Sequence, residues 1–201
     1  MEKLPSAKKK KYLTAQEDIL EAAGRVFVEK GYEGSSISDI AEKKNMNQSL
    51  IYHYFKNKKA LWSATKSFLL KEYIEGSASC IDTSHGLHYF LMKFCRYGFE
   101  YLASHPEIVR ILNWQRLEDK RHQLIKLKLT GRQGFEEAFI EMQNKGEIQK
   151  DLDPHLTTVF IRSLIRAPFF DDFSWISKDP ACEQLYLETI VASIEKAIAP
   201  H

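Results

Sequence analysis

Apolar residues recur at three- and four-residue spacing along most of the chain, and no segment shows the strict alternation of a half-buried strand. Ile19, Ala22, Ala23, Val26 and Phe27 form one such stripe. They predict a helix over Thr14–Lys30, with Thr14 as cap, Glu17 completing a capping box and Gly31 as the stop. Shorter stripes follow at Ile37, Ile40, Ala41 and at Leu50, Ile51, Phe55. Asn57 then caps a long predicted helix to about Glu75, through Leu61, Ala64, Phe68 and Leu69, and 76–84 reads as a loop. Ser84 is the expected cap of a helix ending near Ser104, and Pro106 opens a short one to Trp114. Asp119–Lys145 reads as a long helix stopped by Gly146. Asp153-Pro154 and Asp179-Pro180 each place a capping Asp before a proline at the first helical position. The last two helices therefore run to about Asp172, with a kink near Pro168, and to about Ile198. The pattern predicts an all-α chain of nine helices: a three-helix head with a helix-turn-helix, and a six-helix body.

The stretch Ser36–Lys59 organises the head. Ser36 is a plausible N-cap with Asp39 in the capping-box position. Asn45 tolerates a left-handed backbone and can close the first short helix, and Asn47 can cap the second. Two short helices across a tight turn form a helix-turn-helix, whose second helix is offered to a DNA major groove. Gln48, in its first turn, can reach base edges, and Leu50 can meet a thymine methyl. Tyr52 and His53 can bond phosphates or bases, and Ser36 and Lys58 phosphates. Asn47 and Ser49 lie in the same first turn. Phe55 reads as core.

Ile40-Ala41, Asn47 to Phe55, and Lys56 to Leu61 together resemble the DNA-binding signature of the TetR family of bacterial transcriptional regulators, roughly I-A-x-x-x-G-V-S-x-x-x-L-Y-x-Y-F-x-x-K-x-x-L. The aromatic block and the following Lys and Leu match. Asn45-Met46 stand in place of Gly-Val, and Asn47 in place of Ser or Thr. The resemblance covers residues 12–61 and is architectural beyond. It implies phosphate contacts by Tyr52 and by Lys58, whose place in a helix first turn is otherwise unfavourable to the helix dipole. It also implies a homodimer joined through the last two helices, binding a palindromic double-stranded DNA operator and responding to an unknown small-molecule effector.

Charge distribution agrees with one DNA-facing end. Residues 1–60 hold 12 Lys and Arg against 8 Asp and Glu, and the remainder 17 against 19. A net +4 on the head and −2 on the body suits phosphate contact at the head alone. Expected boundaries are a basic flexible tail at 1–11, a DNA-binding domain at 12–56 and a ligand-binding and dimerisation domain at 57–201. Lys8–Lys11 are followed by no apolar stretch of signal-peptide kind, and no apolar run would span a bilayer. Cys80, Cys95 and Cys182 are widely spaced and form no C-x-x-C, which suits a reduced, cytoplasmic protein.

Enzymatic readings find little support: there is no Gly-rich phosphate loop, G-x-S-x-G or H-E-x-x-H, and no cofactor is expected. His85 and His88, with Cys80 and Cys95 nearby, could form a metal sensor, but the spacing matches no standard zinc pattern. A redox switch through Cys95 would require an activated thiolate. The alternative to a ligand-responsive repressor is thus a helical metal-binding or enzymatic protein with an incidental helix-turn-helix, or a DNA-binding regulator without a ligand. In the body, Gly98, Gly131 and Gly134 fall on inward helix faces. Since glycine costs about 1 kcal/mol there, either helices approach closely or a void is left. The void reading places a ligand among Phe94, Gly98, Trp114, Gly131 and Phe135. Arg162 and Arg166 could receive an anionic group, or form a salt bridge across the dimer.

Overall fold

The computed structural model describes residues 7–118, 130–170 and 175–200. Among them are ten α-helices, one 3-10 turn and no strand. The chain divides into two compact units. The first contains α1 (Ala7–Lys30), α2 (Ile37–Lys43), α3 (Gln48–Tyr54), α4 (Lys58–Leu69) and the part of α7 (Pro106–Glu118) from Arg110 onward. The second contains α5 (Lys71–Ser79), α6 (Gly86–Ser104), the start of α7, α8 (Thr130–Lys145), α9 (Pro154–Phe170) and α10 (Pro180–Ile198).

Local chemistry accounts for most of the head's boundaries. Ser36 and Asp39 make both halves of a capping box at α2. Asn45 takes φ +50, the only non-glycine positive φ among the described residues. Its N–H donates to Glu42 O (3.2 Å) and that of Met46 to Ala41 O (2.9 Å). These are the two bonds of a Schellman closure, with Asn in the left-handed place and half-buried Met46 packed on the core beneath it. The Gly-Val of the family pattern is thus replaced without loss of the turn. Ile19, Ala23, Phe27, Ile40, Ile51, Phe55 and Leu61 form the core of the first unit.

Four expectations are corrected. Helix α1 begins at Ala7, so Thr14 lies inside it rather than capping it, and residues 7–11 are helical. Lys and Ala are strong helix formers and need no cap to extend a helix. The long helix from Asn57 is two helices, α4 and α5, parted at Leu70. No Gly or Pro marks the break; α4 packs on α1, whereas α5 packs on α6 and α8. Helix α5 occupies part of the expected 76–84 loop. Ser84 does not cap α6: its hydroxyl is bonded to Asp82 (2.5 Å), and His85 precedes the helix without a side-chain cap bond. Residues 119–129, the first part of the long helix expected from Asp119, lie outside the described residues.

The second unit is built around α6. It packs on α5, α9 and α10, and α8 lies against α5 and α9. Phe90, Phe94, Phe135 and Phe139 form one buried aromatic cluster between α6 and α8. Gly146, at φ +74, ends α8 as expected. Asp179 caps α10 through the N–H of Ala181 (2.9 Å), and Asp153 accepts from Leu156 N–H (2.8 Å) at the start of α9. Pro168 lies inside α9.

Candidate nucleic-acid interface

Helix α3 is anchored on one face and open on the other. Ile51 is fully buried and Phe55, just past the helix, is buried with it. Asn47 caps the helix, its Oδ1 accepting from the N–H and the hydroxyl of Ser49, both at 2.9 Å. With those two contacts fixing the helix rotation, Gln48, Leu50, Tyr52 and His53 point outward. Leu50 is 37% exposed and Tyr52 54%. An aromatic ring exposed so far on a seven-residue helix contributes little to the core. His53 packs edge-on to Tyr54 at 5.2 Å.

Beside this face, Ser36 is exposed at the entrance to α2, and its backbone N–H and hydroxyl both bond Asp39 (2.7 and 2.5 Å). Asp39 is held down at about 2, first by the bond from the Lys30 ammonium (2.6 Å) and then by Ser36. Lys43 pairs with Glu29 (3.0 Å), and Lys44 with Asp18 (2.5 Å) and Glu21 (2.8 Å). Three of the lysines counted in the head's positive balance therefore brace α2 against α1 and the turn after it, while Lys56 and Lys59 stay exposed. Lys58 has a more specific position than expected. Its ammonium donates to Ser35 O at 2.6 Å and lies 4.4 Å from the Tyr32 ring centre. These contacts, missed by sequence reasoning, offset the unfavourable place of a cation in the first turn of α4. Asn57 caps that helix through Ala60 N–H.

The residues expected to line a body pocket are not drawn together within either unit. Trp114 belongs to the first unit, where it packs on the head core and its indole N–H donates to Val28 O (3.3 Å). Phe94 and Phe135 do meet, with ring centres 4.1 Å apart, and both are buried. The Arg162 guanidinium faces them, at 5.6 Å from Phe94 and 6.0 Å from Phe135. Gly98 serves close packing: a Cβ there would lie 3.0 Å from Ile165. Gly134 leaves similar room against Ile81, and the surroundings of Gly131 lie outside the described residues. His85 and His88 diverge, His85 toward Asp82 (3.6 Å) and His88 toward Glu195 (3.1 Å). Burial pushes the Cys95 thiol up to about 12, the opposite of an activated thiolate.

Two short helices across a tight turn, the second capped and turning Gln48, Leu50, Tyr52 and His53 outward, are a helix-turn-helix. Comparison with known families gives the same result. Residues 19–65 match the family model described as bacterial regulatory proteins, tetR family, and residues 91–175 that of a tetracyclin repressor-like C-terminal domain. The chain belongs to the TetR family and is a DNA-binding transcriptional regulator. It is 26% identical to the uncharacterized HTH-type transcriptional regulator YhgD of Bacillus subtilis, over 88% of this chain and 91% of that one. It is 27% identical to IcaR of Staphylococcus epidermidis, the negative transcriptional regulator of a biofilm operon, over 85% and 95%. The fold is that of FadR from Bacillus subtilis in complex with stearoyl-CoA, with TM-score 0.68 and 24% identity, covering 87% of this chain and 97% of FadR. No helix among the described residues is long and apolar enough to cross a membrane.

Proposed function

We propose that this chain is a homodimeric repressor that binds a near-palindromic operator and leaves it when a small molecule occupies the body. The outward presentation of Gln48, Leu50, Tyr52 and His53 from a helix pinned by Asn47, Ile51 and Phe55 carries the DNA reading. Tyr52 lies on the open side for phosphate, whereas the N–H and hydroxyl proton of Ser36 are both given to Asp39 and leave it none to offer a phosphate. Lys58 keeps ammonium protons beyond the one given to Ser35, and these are available to a phosphate as well. Repression as the direction of control follows IcaR, whose name describes negative regulation.

Dimerisation is read from α9 and α10. Leu156 (66% exposed), Val159, Phe160 and Leu185 (65% exposed) leave large apolar groups on their outer faces. A second copy covering them would give the isologous contact that a palindromic site requires. Ile190 and Val191 instead belong to the protomer's own interior. The effector site is placed beside Arg162, where a guanidinium already faces the Phe94–Phe135 rings. An acidic compound with an apolar body suits that pair, parting the rings rather than filling a void. The FadR structure holds stearoyl-CoA, a ligand of that general character.

The test is equilibrium binding to duplex DNA across a salt series. Affinity should fall linearly on log–log axes as phosphate contacts are competed away. Tyr52→Ala should weaken binding to every sequence. Gln48→Ala should relax preference at one base pair per half-site, at about 1–3 kcal/mol. A protein whose DNA affinity is absent, or indifferent to salt, would sink the reading.

A further inference from the structure

Gln48 is not alone on the recognition face. Its Nε2 donates to the hydroxyl of Ser38 (3.3 Å), and that hydroxyl donates to Glu42 Oε1 (3.3 Å). Ser38 and Glu42 stand one turn apart on α2, and with Gln48 they line one open depression between α2 and α3. A base edge can therefore reach Gln48 while the other two hold it.

The direction of this chain is fixed by its far end. An ionised carboxylate only accepts hydrogen bonds. Ser38 has one proton, and Glu42 takes it. The Ser38 oxygen can then only accept, so Gln48 must turn its NH2 group toward it. The amide is thereby held in one of its two flips. What remains facing outward is the Gln48 carbonyl and its second N–H: one acceptor beside one donor. That pair matches adenine, which offers the N6 amino group and the N7 acceptor in the major groove. It mismatches guanine, whose O6 and N7 both accept. Turned over, the amide would set its acceptor against N7 and its donor against the N6 amino group, so only the held flip meets both adenine atoms, whereas guanine is met at one atom in either flip.

We propose that Ser38 and Glu42 are positioning residues that hold Gln48 in the flip that reads adenine, sharpening its preference for adenine over guanine. The inference rests on the DNA-binding reading above. It assigns to α2 a part in sequence discrimination exercised through another side chain.

The experiment is selection of bound sequences from a randomised duplex pool by the full-length protein, followed by affinity measurement on adenine- and guanine-containing versions of the selected site. At the position whose preference disappears in Gln48→Ala, the wild type should favour adenine. Ser38→Ala should keep the salt dependence yet lower the adenine-to-guanine ratio by about twofold, the share of the wrong flip once the amide is released. Glu42→Gln should also lower it, because an amide at position 42 can donate to Ser38 and reverse the relay. Ser38→Thr, which retains the hydroxyl, should keep the preference. Unchanged base profiles in both Ser38→Ala and Glu42→Gln would overturn the proposal. So would a loss of affinity in Ser38→Ala shared equally by all sequences, the mark of a phosphate contact. A wild type that binds no DNA would overturn the proposed function itself, whereas salt-dependent binding with no adenine preference at the Gln48 position would overturn only the relay.

Discussion

The head and the body dispose of their large side chains in opposite ways. On α3 of the head, Tyr52 and Leu50 are turned out from a helix whose caps and two buried anchors leave them no other place. In the body, Phe90, Phe94, Phe135 and Phe139 are closed on one another, while α9 and α10 carry Leu156, Val159, Phe160 and Leu185 among the large apolar groups left outside. An exposed aromatic on a short capped helix and an exposed aliphatic row on two long helices are different signals. The first, set among polar neighbours, suits a polyanion with base edges; the second suits another apolar protein surface.

The sharpest way to break that contrast is to put charge on either side of it. Val191→Glu places a carboxylate at a site with no exposure. It should destabilise the protomer by more than about 3 kcal/mol, read as loss of cooperative melting. Leu156→Glu with Leu185→Glu places charge on the outer faces instead. Thermal melting of the protomer should be nearly unchanged, while sedimentation shows monomers and affinity for a two-half-site duplex drops by roughly tenfold or more, about 1.4 kcal/mol. Dimers of undiminished strength would move the interface elsewhere.

A smaller effect separates close packing from open space. A Cβ at Gly76 would collide with the Tyr97 hydroxyl, which lies against α5 and donates to Glu72 O at 3.3 Å. Gly76→Ala should cost about 1–3 kcal/mol by overpacking, less whatever helix propensity returns. Tyr97→Phe in the same chain should restore part of the loss, a coupling that a denaturation cycle measures directly.

The finest test is in the head. Ser36→Ala should cost about 1 kcal/mol through loss of the α2 cap. Asp39 should titrate near pH 2 by NMR, against about 3.9 for an unperturbed aspartate. Because the folded value is depressed, its contribution to stability is complete above about pH 3.9 and disappears as the pH falls through 2. A midpoint near 3.9 would deny the Lys30 and Ser36 bonds in solution.

These contrasts also explain what could be read from the chain. Ser36, Asn45, Asn47, Asn57, Gly146 and Asp179 act on backbone groups within a few residues, and their roles follow from side-chain chemistry alone. Leu70 carries no local mark, since the break there depends on α4 and α5 having different packing partners. Trp114 looked like a pocket residue because an aromatic on a helix face does not announce which core it joins. Lys58 sent its ammonium to a carbonyl 23 residues away, beyond the reach of any spacing rule. Gly98 left two readings open until Ile165 was found against it.

The first unit is discontinuous in the chain, and this bears on how the protein is made. Ile111, fully buried in the head core, and Trp114 beside it arrive some forty residues after Leu70. A ribosome delivering the chain from its N-terminus presents the DNA-reading helices long before the two side chains that complete their support. A gene fragment ending at Leu70 would encode every side chain of the recognition face and an unfinished core beneath it.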